Sequence, residues 1–124
     1  MSRLFLEAYW KLISFHSCVA TGDFAGLYQT VRRFPLKRPE DPRVSALQIF
    51  AAIDLACIWY WKEILCLQRS AAAACLLRQH GVPAEMVIGA QHTPFRAHAW
   101  VEVEGKVVGD KPYTPEIYRV LDRC

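Results

Sequence analysis

The sequence predicts an α+β fold, with helices first and a small antiparallel sheet after them, and three observations carry that prediction. Apolar residues recur at helical spacing from the N-terminal region to His80. Gly81-Val82-Pro83 then halts the helical run. Beyond Pro83 the apolar positions follow a strand-like period, with turn residues between the runs. Helices that precede strands belong to the α+β class, with a helical layer against the sheet. A length of 124 residues suits one domain, 1–124, with an ordinary hydrophobic core.

Apolar residues at 5, 9, 12 and 13 give a first helix over 4–15. Thr21-Gly22-Asp23 reads as a turn whose Asp caps a second helix running to Val31. Phe34 to Pro42, with three prolines, reads as a loop, and Asp41-Pro42 as the cap and first turn of the next helix. From there to His80 nothing interrupts the helical pattern. A single helix of that length would run about 55 Å, whereas a domain of this size has a radius of gyration of about 14 Å. The run must therefore break, and Ile58-Trp59-Tyr60-Trp61 is its weakest helix-forming stretch. The break is expected between Tyr60 and Leu65, which makes Cys66 the first residue of a new helix. Strands are expected over 84–90, 97–103 and 106–110, with a short last helix over 115–121 after Pro112 and Pro115 end the third strand.

A hydrophobic share of 53% and a charged share of 22% describe a globular chain. The net charge of +3 is too small to imply nucleic acid, and no Gly-rich phosphate loop or nucleic-acid motif is present. Arg32, Arg33, Lys37, Arg38 and Arg43 crowd the Pro-rich segment, which reads equally as a docking surface or as a solvated loop. The five cysteines, at 18, 57, 66, 75 and 124, contain no Cys-x-x-Cys pair. Reduced thiols and a cytoplasmic location fit that spacing better than a disulfide framework does. Glu7 and Lys11 interrupt the N-terminal apolar run, so it is not a signal peptide. Asp54, near the centre of the apolar stretch 44–61, would cost roughly 2.5–3.5 kcal/mol in a membrane, which favours a soluble core helix over a span.

Cys66, His98 and Asp110 are the candidate catalytic residues. The thiolate is the reactive form of cysteine, and the positive end of a helix dipole favours it. The same helix end offers backbone N–H groups to an oxyanion. Cys75 lies too far inside that helix for either effect. His98 sits in the second strand, between alanines that leave room around its ring. A three-residue loop at 104–106, pairing Val103 with Val107, would set Trp100 opposite Asp110 and His98 one diagonal step away on the same face. A two-residue loop would send Asp110 to the other face. In the first register Asp110 fixes the imidazole tautomer. A structural cysteine and a core histidine remain the plain alternatives for each residue alone. His92 and His98 have poor zinc spacing. Ser70-Ala71-Ala72-Ala73-Ala74 is expected to let the Cys66 helix pack closely on the sheet, and Trp59 and Trp61 to be core aromatics rather than cleft walls.

The stretch Cys66-Leu-Gln-Arg-Ser, then Leu76-Leu-Arg-Gln-His-Gly-Val-Pro-Ala84, Val87-Ile-Gly89, Phe95-Arg-Ala-His-Ala-Trp-Val-Glu-Val103 and Gly105 to Asp110 resembles the transglutaminase-like cysteine peptidases of lasso-peptide biosynthesis. The resemblance is strong over 45–111 and weak over 1–44. It implies a transglutaminase-like, papain-like cysteine peptidase fold, with a helical extension over 1–43 and a catalytic core over 44–124. It implies Cys66 as nucleophile, His98 as base and Asp110 as orienting acid, with no metal or organic cofactor. The implied activity is removal of the leader from a lasso-peptide precursor. The first 44 residues read as helices, whereas the family's leader-recognition domain is built of strands. The chain thus resembles the split form, which works with a separate leader-recognition protein and ahead of an ATP-dependent macrolactam synthetase. Two other readings stay open: acyl transfer to an amine with the same triad, and a non-catalytic module that binds the precursor.

Overall fold

A computed structural model describes residues 2–38, 44–92 and 95–124. Five helices come first: α1 (Ser2–Ser14), α2 (His16–Thr21), α3 (Phe24–Arg33), α4 (Ala46–Trp59) and α5 (Cys66–Gln79). Strands β1 (Ala84–His92), β2 (Phe95–Val103) and β3 (Lys106–Val108) follow, then the single turn α6 (Thr114–Ile117) and strand β4 (Arg119–Arg123). The sheet is antiparallel, in the order β3-β2-β1-β4.

Local signals set most helix ends. Asp23 accepts a hydrogen bond from the Gly26 N–H and opens α3. Ser45 and Gln48 form a reciprocal capping box that opens α4. The expected cap at Asp41-Pro42 lies outside the described residues, and α4 begins instead with Ser45 as its cap. The expected break is present: α4 ends at Trp59 and α5 starts at Cys66. The short α2 was not expected, because nothing in 16–21 distinguishes a new helix from the end of α1.

The core lies between α5 and the sheet and extends under α1 and α4. Ser70 and Ala71 to Ala74 are all buried, so α5 approaches β1 and β2 closely. Met86, Ile88, Ala99 and Val101 face it from the sheet. Arg78, also buried, donates from its guanidinium to the carbonyls of Ala84, at 2.8 Å, and Cys124, at 2.6 Å, and to that of Val31. One cation thereby joins α3, β1 and the end of the chain. Among the described residues no helix is long and apolar enough to cross a membrane, and all five cysteines are free.

Three expectations are corrected. The β2–β3 loop has two residues, with Val103 opposite Lys106. Glu104 and Gly105 both take positive φ, 52° and 79°, the backbone that a tight two-residue hairpin requires. The helix expected over 115–121 shrinks to α6, because the chain turns extended at Tyr118 and pairs with β1 as β4. Trp59 and Trp61 are not core residues: they are 70% and 62% exposed. Trp61 instead lies against the rings of Tyr60 and His16.

Candidate active site

Residues 98, 100 and 102 of β2 lie on the sheet face opposite to Ala99 and Val101, and the side chains of Tyr118 and Arg123, just before β4 and at its end, reach that face. Trp100 is buried there and gives its indole N–H to Glu102 at 2.9 Å. Arg123 reaches the same carboxylate from β4 at 2.8 Å. Burial pushes the Glu102 carboxyl up, but the hydrogen bonds from Arg123 and Trp100 and the Arg123 charge outweigh it and hold it below the usual range. Tyr118 completes the wall. Its ring centroid lies 5.2 Å from that of His98 and 6.0 Å from that of Trp100. Gly89, the register partner of His98, makes room for Trp100 and Tyr118, since a Cβ there would sit 2.7 Å from the Trp100 ring and 2.8 Å from the Tyr118 Cβ.

His98 donates from Nε2 to Asp110 Oδ2 at 2.6 Å, and each side chain is about three-quarters buried. Sheet alternation does not bring them together. With Val101 opposite Val108, the ladder runs on to set Asp110 opposite Ala99, on the face that His98 does not share. The ladder stops at Val108, however, and Gly109 takes a left-handed φ of +71° that turns Asp110 back toward the imidazole. Phe50 leaves no room for a side chain at that point: a Cβ on Gly109 would meet its ring at 2.3 Å. Asp110 also accepts a hydrogen bond from the Lys111 N–H at 2.7 Å. Burial pushes its carboxyl up, but the bonds from His98 and Lys111, with electrostatic attraction to His98 and to the Arg69 charge, leave it below the ordinary value.

Cys66 is exposed at the head of α5. Its neighbour Leu65 supplies no side-chain cap, so the first backbone N–H groups of the helix are not closed off by one. The imidazole's hydrogen bond goes to Asp110, not to the thiol. Arg69, one turn beyond Cys66, ties the thiol's helix to the turn that carries Asp110 by donating to the Gly109 carbonyl at 3.1 Å. Cys75 in the same helix is buried, and burial raises its thiol to about 11. Burial likewise raises Cys57 and Cys124.

A family model, described as the transglutaminase-like superfamily, matches residues 10–123. The chain belongs to the transglutaminase-like superfamily. Over 47 residues it is 43% identical to the microcin J25-processing protein McjB of Escherichia coli. That match spans 38% of this chain and 23% of McjB. No solved structure matches.

Sequence reasoning missed Arg69, Gly89, Gly109, Glu102 and Tyr118 as parts of this site. Gly109-Asp110 carried a usable signal, since a glycine directly before a candidate acid marks a turn. Among the described residues no group of three or more His, Cys, Asp or Glu side chains is placed to hold a metal ion. A groove of about 420 Å³, bordered by Arg32, Phe34, Arg78, Glu85 and Glu104, shares no residue with the His98–Asp110 pair.

Proposed function

We propose that this chain is a cysteine peptidase that removes the leader from a lasso-peptide precursor, with Cys66 as nucleophile, His98 as base and Asp110 as orienter. The hydrogen bond from His98 Nε2 to Asp110 Oδ2 carries the reading. An ionised Asp110 accepts only, so Nε2 bears the proton and Nδ1 presents a lone pair able to take one from a thiol. The substrate class in this reading is supported by the similarity to McjB, which by its name processes microcin J25, and the transglutaminase-like superfamily is consistent with the chemistry.

In this mechanism Cys66 Sγ attacks the carbonyl carbon of the last leader peptide bond while His98 Nδ1 takes the thiol proton. The oxyanion is held by N–H groups of the first turn of α5. His98 returns the proton to the leaving amine, which frees the core peptide. Water, deprotonated by His98, then cleaves the leader thioester and restores the thiol. A separate leader-recognition protein delivers the precursor in the cytoplasm, and an ATP-dependent macrolactam synthetase takes up the released core. The whole chain, 1–124, acts as one peptidase domain. Exposed Arg33, Lys37 and Arg38 fit a docking surface for one of these partners; reversing their charge should then remove the salt dependence of partner binding.

The test is a mass-spectrometric assay of precursor cleavage with the recognition protein present, run in ¹⁸O-water and with an added primary amine. Wild type should yield a leader with a labelled carboxyl, and Cys66→Ala and His98→Ala should yield none. Cleavage by Cys66→Ala at the wild-type rate would refute the assignment. An amide with the added amine would favour acyl transfer over hydrolysis.

A further inference from the structure

Arg69 lies three residues beyond Cys66, about 4.5 Å along the helix axis. Its side chain, about a quarter exposed, makes three contacts: two on α4 and one on the turn after β3. Nε donates to Asp54 Oδ1 of α4 at 2.8 Å. Nη2 donates to the Gly109 carbonyl at 3.1 Å. The guanidinium carbon lies 5.2 Å from the centroid of the Phe50 ring, and that same ring closes the space beside Gly109. One fork thus joins α4, the first turn of α5 and the turn that aims Asp110 at His98. Only a guanidinium suits this position, because a lysine ammonium is a point charge and cannot present the same fixed pair of donors.

We propose that Arg69 is a positioning residue: it fixes the Gly109–Asp110 turn against the first turn of α5, and so sets the His98–Asp110 pair relative to the Cys66 thiol. This rests on the peptidase reading given above. An ordinary staple between α4 and α5 would need only the Asp54 ion pair; the bond to Gly109 is what reaches the site. The charge of Arg69 acts in the same direction. Asp110 is faced by His98 from β2, by the Lys111 N–H in its own turn and by Arg69 from α5. Arg69 itself is faced by Asp54 and Cys57 of α4.

The test compares Arg69→Met, Arg69→Lys and Asp54→Asn in the full chain. Melting, carbon-detected NMR titration of the Asp110 carboxyl, and kcat and KM for the precursor with the recognition protein would be measured. Arg69→Met should move the Asp110 titration up toward the ordinary carboxylate range. It should lower kcat on the order of 10- to 100-fold, as a misplaced reacting group does, with KM within about threefold. Arg69→Lys should restore most of the Asp110 titration but not kcat. Asp54→Asn, which keeps the Gly109 bond, should melt lower yet hold kcat within a few-fold. A folded Arg69→Met with wild-type kcat overturns the proposal, and so does Asp54→Asn losing kcat as severely as Arg69→Met. If Arg69→Met does not fold, Arg69→Lys decides: lost kcat with an intact fold supports the proposal, and retained kcat overturns it. If wild type itself cleaves no precursor, the peptidase reading fails instead. The Asp110 titration then stands alone, and an unchanged value in Arg69→Met overturns the positioning role.

Discussion

Gly89→Ala tests whether His98 is held by a packed aromatic wall. The new Cβ would lie 2.7 and 2.8 Å from two ring carbons of Trp100 and 2.8 Å from the Tyr118 Cβ. Carbon atoms settle at about 3.5 Å or more, so each neighbour must retreat by about 0.8 Å. Neither can do so freely. The Trp100 ring is buried and tied to Glu102, and the Tyr118 Cβ belongs almost to the backbone. Overpacking of this kind costs about 1–3 kcal/mol, or roughly 4–12 °C of melting temperature at about 4 °C per kcal/mol. Both displaced rings touch the imidazole, with centroids at 6.0 and 5.2 Å. A shift of that size at a reacting group costs on the order of 100-fold in kcat. Gly105→Ala is the matched control. It has a φ of +79° and nothing within 4 Å of the new Cβ, so it costs about 1–2 kcal/mol of backbone strain and leaves the site untouched. Thermal unfolding and steady-state cleavage would be measured on both. Equal kcat in the two variants, or a Gly89→Ala protein that melts like wild type, would refute the reasoning.

Three further outcomes follow from the same geometry. Gly109→Ala combines a left-handed φ with a clash against the Phe50 ring; it should lower stability by about 3 kcal/mol or more, and NMR should show the His98–Asp110 hydrogen bond lost. Asp110 has a lowered carboxyl pKa in the fold, so its contribution to stability is fully present above about pH 4 and is lost as pH falls through the lowered value. Asp110→Asn should therefore melt below wild type at pH 7 and converge with it in strong acid, as calorimetry across pH would show. Tyr60→Phe keeps the ring contacts with Tyr9 and Trp61 and leaves Gln68 bonded to the Leu12 carbonyl, so it should change stability by no more than about 1 kcal/mol, or roughly 4 °C on thermal unfolding.

Sequence alone determined whatever depends on neighbours along the chain. Asp23 caps its helix because an Asp before an apolar run satisfies free N–H groups. Cys66 stands at a helix start because one unbroken helix from the Pro-rich loop to His80 would overrun the molecule, and the β-branched and aromatic cluster at 58–61 is where it yields. Alternating apolar residues after Gly81 made β1 and β2 legible, and alanines 71–74 announced the close helix–sheet contact. Tertiary structure decided whatever depends on residues far apart. Extended backbone at Tyr118 made Val120 a partner of Gly89 rather than part of a helix, because ladder hydrogen bonds with β1 outweigh a weak local preference. Trp59 and Trp61 looked like core by composition, yet the residues of α4 that enter the core are Ile49, Phe50, Ala52, Ile53 and Ala56, and both indoles stay exposed. His98 and Asp110 were named as a pair from a hairpin register that the protein does not use. Their contact survives because Gly109, pressed by Phe50 and held by Arg69, reverses the chain just beyond the ladder. Strand alternation is a local rule, but the turn that corrects it is fixed by two helices that the hairpin's own sequence does not contain.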